Sequence, residues 1–362
     1  MIKILIFLTV LLPVGFLDAA NAEESNLQAS QNTEKNQNTT RSYPEKKAGE
    51  AIGFSVENDA RVLGGPGSDQ SYTNGVKFSY AYNEDHVPVW AKSTVKKMNY
   101  FQNKIDETKV NFGISFAQQI YTPADVGTDQ FVPDDRRYAA WSYFGFSSQI
   151  TAQSRAEVFE LDLGIVGPSA LGEQVQNNFH HLIRSTTSNG WANQLSDEPT
   201  VQLSYQQKLR FYELSDSKGK FFDAIPYYGA GLGNVHIGAH VGGLIRAGLN
   251  IPNDFGPTRL SASDGESFIS EKADDGEILK YIYIFAGARG NAVFHDIFLD
   301  GNTFKSNRTV HKYPFVLETE LGFAAQLKHW DLVWRFVTRT PEFEEKQRIN
   351  SFASINILYL LN

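Results

Sequence analysis

Four polar side chains invite a chemical reading before any element is drawn. His180 lies four residues after Gln176 in a stretch, Leu171–Arg184, whose apolar positions Leu171, Val175, Phe179 and Leu182 recur at helical spacing. Glu173, Gln176, Asn177, His180 and Arg184 form the opposite, polar face, and a pair four apart are neighbours on a helix surface. Imidazole is the side chain whose titration falls near neutrality, so it can take and return protons. Taken alone, His180 reads as one of the many histidines on solvated helix faces. Two further groups, Asp59 and Thr73, gain meaning only from the elements that carry them.

Those elements read as strands. Alternation with period two recurs from Ile52 onward: Ile52, Phe54 and Val56 oppose Gly53, Ser55, Glu57 and Asp59. Tyr72, Asn74, Val76, Phe78, Tyr80 and Tyr82 oppose Thr73, Gly75, Lys77, Ser79 and Ala81. Candidate strands fall near 52–59, 72–82, 109–121, 138–150, 156–166, 200–213, 224–234, 236–250, 278–290, 313–327, 331–340 and 350–361. That is twelve, an even number, as bacterial single-chain outer-membrane barrels have. A soluble sandwich also alternates. The barrel is favoured by strands of about ten residues and by aromatic residues at strand ends, among them Tyr72, Tyr82, Tyr121, Tyr138, Trp141, Tyr281, Trp330 and Tyr359. The expectation is an all-β, transmembrane antiparallel barrel of about 12 strands, with a short helix in an outer loop.

Composition agrees. Aromatic residues make up 13% of the 362, an excess that suits strands. After residue 16 no apolar run approaches the length of a membrane-spanning helix. There is no cysteine, which excludes disulfides, thiolate metal sites and a Cys nucleophile. A net charge of -8 speaks against electrostatic binding of nucleic acid. Residues 1–22 read as an export signal: Lys3, an apolar Ile4–Phe16, then Ala20-Asn21-Ala22 as a cleavage site. Residues 23–50 are too polar to offset the entropy of ordering and read as a disordered tail. The barrel is expected to occupy 51–362 and to act as a monomer.

With the amino terminus inside, the first strand runs outward to Asp59 and the second returns from Tyr72. The alternation then puts Asp59 and Thr73 on lumen-facing sides near one rim. The fifth strand ends at that rim too, and Gly167-Pro168 breaks it before the helix.

Together, "FSVENDA" (54–60), "SDQSYTNG" (68–75), "FAQQIYTP" (116–123), "PDDRRYAAW" (133–141) and "GIVGPSALGEQVQNNFHHLI" (164–183) resemble the lipid A 3′-O-deacylase family of Gram-negative outer membranes. The order and spacing match across residues 52–184. The resemblance implies a twelve-stranded outer-membrane barrel, a site between barrel wall and loop helix, and Ca²⁺-dependent removal of the 3′-linked acyloxyacyl group of lipid A, the lipid of lipopolysaccharide. Its Asn-Asp pair falls on Asn58 and Asp59, its Thr on Thr73, and its Gln-Asn-x-x-His segment on Gln176, Asn177 and His180. His180 is then the expected base for water. Asp59, with Thr73 or backbone carbonyls, would hold Ca²⁺ through hard oxygens, and Asn58 and Gln176 would orient water or substrate. The chain departs from the family where relatives carry further acids: here stand Ala60 and Ser185-Thr186-Thr187. A family Lys after "IYTP" is also missing. Arg136, Arg137 and Lys77 are left either to meet lipid A phosphates or to serve as rim charges. Two other readings stay open, an outer-membrane phospholipase with a Ser nucleophile and a non-catalytic barrel or pore. His236, His240, His295 and His311 show no ligand spacing, Ser263–Glu277 lacks EF-hand order, and no dinucleotide or phosphate-loop motif occurs.

Overall fold

Alternating sequence becomes a closed wall in the computed structural model, which describes residues 50–59, 71–82, 87, 89, 109–183, 187–260, 277–305, 307, 310–346 and 348–361. The expected export signal and nearly all of the tail lie outside them. The strands are β1 (Ala51–Asn58), β2 (Ser71–Tyr82), β3 (Lys109–Thr122), β4 (Ala139–Thr151), β5 (Arg155–Val166), β6 (Glu198–Leu209), β7 (Tyr212–Asp216), β8 (Gly219–Gly233), β9 (His236–Leu249), β10 (Leu279–Asp296), β11 (Phe315–Leu327), β12 (Trp330–Arg339) and β13 (Asn350–Leu360). Every pairing is antiparallel between sequence neighbours, apart from β1 with β13 and β6 with β8. These last two close the cylinder. β6 and β7 form one stave: both pair with β8, and the chain departs from the ladder only at Arg210–Phe211. The barrel therefore has twelve staves.

Burial is the reverse of a soluble protein's. Phe78, Phe116, Phe144, Leu163, Ile245 and Ile284 are exposed on the outer wall, while Lys77, Glu160, Gln202, Asp223, Arg246 and Arg335 are buried inside. The interior charges are paired: Lys77 Nζ lies 2.9 Å from Glu160 Oε1, and Arg246 engages Asp223 and Asp254. An apolar exterior around a polar, paired interior suits hydrocarbon outside and ion pairs within. At the rim where Ala51 pairs with Leu360, Trp330 and Tyr359 pack with ring centroids 4.7 Å apart and stay partly exposed, as an interfacial girdle should. Tyr72, Tyr138, Trp141 and Tyr281, counted among the girdle candidates in the sequence, are buried instead.

Residues 251–260, after β9, enter the lumen. Asp254 meets Arg246. Higher up, Arg335 Nη1 donates to Thr258 O (2.8 Å) and Asn356 Nδ2 to the same carbonyl (3.1 Å). Arg259 then pairs with Glu318 (2.8 Å), and Leu260 N donates to Glu57 Oε1 (3.3 Å). Residues 251–260 thus climb from the rim of Ala51 and Leu360 toward the opposite one.

Candidate active site

The opposite rim carries the predicted helix, and local sequence explains how it is seated. Gly167 takes φ +110°, a left-handed conformation that favours glycine, and a Cβ there would lie 2.6 Å from Asp197 N. Its N–H donates to Ala140 O (3.0 Å), which turns the chain back onto β4. Pro168–Ala170 makes one 3₁₀ turn, tied to Asp197 through Ser169 N and Oγ (2.8 and 2.7 Å). The helix α1 (Gly172–Ile183) follows. Ala170 O accepts from Gln118 Nε2 (2.6 Å) and Ser142 Oγ (2.9 Å). Both side chains share the face of exposed Phe116 and Phe144, two residues along their strands. The helix is therefore anchored to the outer wall.

Its buried positions are Gly172, Gln176 and His180, one every four residues; both side chains are 4% exposed. Trp191 Nε1 donates to Gln176 Oε1 (3.0 Å), and Gln176 Nε2 is buried with no hydrogen-bond partner among the described residues. Asn177 serves as a clamp: its Nδ2 donates to Ser188 O (3.2 Å) and its Oδ1 accepts from Ser188 N (3.0 Å). Trp191 also packs in an apolar cluster with Ile120, Tyr138, Ala140 and Ala170. Neither Trp191 nor Gly172 stood out in the sequence, although a glycine opening an amphipathic helix was the available signal.

The wall beside the helix has a defined register. Ala140 pairs with Ile120, Ile120 with Asn74, and Asn74 with Asn58, one residue from each of β4, β3, β2 and β1. Asn58 is buried, as is Asp59 just beyond it, whose N–H points at Thr73 O (3.4 Å). Thr73 corrects the sequence reading. A bulge between Tyr72 and Asn74 breaks the alternation of β2. Tyr72 swings into the lumen, where its hydroxyl donates to Glu57 Oε2 (2.8 Å) and its ring packs on Tyr121 and Phe352. Thr73 no longer follows Gly75 and Lys77; its Oγ1 lies 2.7 Å from Thr122 Oγ1. Before the bulge, Ser71 adopts φ +71° and accepts from Lys346 Nζ (2.7 Å). Burial, then the nearby Arg136, brings the Lys346 ammonium down to about 8.

The cations offered for lipid phosphates are otherwise engaged. Lys77 is inside, on Glu160, and buried Arg136 pairs with Glu342 (2.7 Å). Arg137 donates to Asn307 O and Asn193 O and stacks over Phe131. A cavity in the lumen is lined by Tyr72, Gln119, Arg289, Glu318 and Arg339, and none of Asn58, Asp59, Thr73, Gln176 and His180 borders it.

A closed antiparallel cylinder with an apolar exterior, a polar interior and a helix held against its outer wall defines an outer-membrane β-barrel. The family described as outer membrane protein LpxR matches residues 6–361, and the chain belongs to that family. Among solved structures, LpxR from Salmonella typhimurium is similar with a TM-score of 0.69 at 19% identity, over 86% of this chain and 100% of that one. The beta domain of the Bordetella autotransporter Brka gives 0.41 at 11% identity, over 87% and 98%. No curated protein sequence matches.

Proposed function

We propose that this outer-membrane protein is a lipid A deacylase that hydrolyses the 3′-acyloxyacyl ester with His180 as base. One observation carries the reading: α1 buries its polar positions Gln176 and His180 and exposes its apolar ones. A helix that only decorated the surface would do the opposite in water. The dimensions support it as well. From Gly172 to His180 the helix advances about 12 Å, and the register row from Ala140 to Asn58 spans about 14 Å at ordinary strand spacing. Laid along that row from Ala140, the helix would bring His180 over β2 and β1, the strands of Asn58 and Thr73.

In this mechanism the His180 imidazole takes a proton from water as the oxygen adds to the ester carbonyl carbon. The tetrahedral oxyanion collapses, the bond to the 3′ sugar oxygen breaks, and that oxygen takes the proton from the imidazolium. The products are the acyloxyacyl carboxylic acid and a free 3′-hydroxyl. Gln176 Nε2 is a donor able to orient water or an acyl oxygen, and Trp191 fixes its amide. Asn58 is the second orienting group.

The donor chemistry here suits Ca²⁺. Asp59 brings a carboxylate, and Asn58, Thr73 and backbone carbonyls bring the neutral oxygens a hard cation accepts. No group of three or more His, Cys, Asp or Glu that could hold a metal occurs among the described residues. Such a site binds weakly, because affinity follows the count of charged ligands. When bound there, Ca²⁺ supplies positive charge for the developing oxyanion.

Residues 251–260 inside the lumen weigh against the pore reading. The test is incubation of the refolded protein with purified lipid A, with Ca²⁺ or with chelator, and mass spectrometry of the products. Release from glycerophospholipid alone would instead favour a phospholipase.

A further inference from the structure

Helix α1 has three faces. At about 100° per residue, Gly172, Gln176 and His180 share one arc, against the wall. The next arc carries Val175, Phe179 and Leu182, exposed by 43, 44 and 79%, and Leu171, just before the helix, is exposed as well. The third carries Glu173, Asn177 and His181. The apolar arc is left exposed by the described residues, and its surroundings say what covers it. The turn that opens the helix hangs from Gln118 and Ser142 on the outer wall. Two residues along each of those strands stand Phe116 and Phe144, exposed, with ring centroids 5.2 Å apart. The apolar arc therefore continues the lipid-facing belt of the barrel, and the polar arc faces the other way. An apolar arc and a polar arc side by side are the marks of a helix that lies in a membrane interface.

We propose that α1 is such an interfacial helix, with Leu171, Val175, Phe179 and Leu182 among the acyl chains of the bilayer and Glu173 and His181 in water. This goes beyond the proposed hydrolysis and stands whether or not that reaction occurs.

The absence of cysteine makes the test direct. Single-cysteine variants Phe179→Cys, Glu173→Cys and, as a belt reference, Phe144→Cys are nitroxide-labelled and refolded into dioleoylphosphatidylcholine vesicles. Collision rates with oxygen, which concentrates in lipid, and with a water-soluble nickel chelate are read at each position. The expected result is an oxygen-to-nickel ratio at 179 close to that at 144 and roughly threefold or more above that at 173. A ratio at 179 equal to that at 173 would overturn the proposal, because the arc would then face water. Spin–spin broadening at 179 would overturn it too, since a second copy would be the cover. Leu182→Cys replaces Phe179→Cys if that variant fails to show the heat-modifiable migration of a folded barrel. No readout depends on activity.

Discussion

Gly172 lies so close to Ala140 that any side chain at 172 would overlap the alanine methyl; a Cβ would also sit 2.6 Å from the Trp191 ring. The contact sets the distance between helix and barrel wall. Gly172→Val should push the helix outward while all twelve staves stay paired. Displacing a catalytic group by about 1 Å can cost on the order of 100-fold in rate. We expect deacylation to fall by about that factor with unchanged heat-modifiable migration. Full activity in Gly172→Val would show that helix-to-wall distance does not matter.

Asn177 reads in the sequence as part of the motif around His180, but it bonds the helix to Ser188 twice. Asn177→Ala removes both bonds, each worth about 1 kcal/mol. Protease nicking between the helix and Trp191 should accelerate, without a matching change at the barrel strands, as followed by mass mapping of the fragments.

Lys346 gives a pH signature. Its ordinary value is 10.5, and burial brings it down to about 8 in the folded protein. Between these values the unfolded chain holds a proton that the folded chain has released, so stability rises with pH across that window. Below about 8 both states are charged and the cost of burying the ammonium is constant. The thermal midpoint in detergent should therefore climb from pH 8 to 10, and Lys346→Met should remove that part of the climb. An identical profile in the variant would contradict the assignment.

The lumen segment predicts silence in a conductance experiment. Arg335 holds Pro257 and Thr258 through their carbonyls, and Asn356 shares the second. The wild-type protein in a planar bilayer should pass no steady current. The Arg335→Ala, Asn356→Ala double variant should show flickering openings. Steady wild-type channels would revive the pore reading.

Strand number and placement were legible because period two is a local signal. The staves at 52–59, 156–166 and 331–340 lie within a residue or two of their expected bounds. β10 runs six residues past the expected 290, to Asp296, where aliphatic alternation no longer marks it. The expected strand 200–213 is interrupted at Arg210–Phe211 by backbone bonds to Ser154 and Ala224 that no local pattern announces. The side assigned to Thr73 failed for a related reason. A bulge is an inserted residue, and one insertion exchanges the faces of everything before it, so Tyr72 went inward. Helix α1 was legible as amphipathic, but not which face turns to the protein. That depends on whether the solvent beyond the rim is water or lipid, which only the closed wall reveals. The candidate roles of Arg136 and Lys77 could not survive the fold, since Glu342 and Glu160 come from distant strands and loops.

The most direct test of the account is the mass of lipid A after incubation with wild-type protein and with His180→Gln, each titrated with Ca²⁺. The account predicts loss of the 3′-acyloxyacyl group by the wild type, half-maximal at on the order of 10⁻⁴–10⁻³ M Ca²⁺ as for a weakly charged site, and a fall of at least about 100-fold in the variant. Near wild-type release by His180→Gln, or release unaffected by chelator, would contradict it.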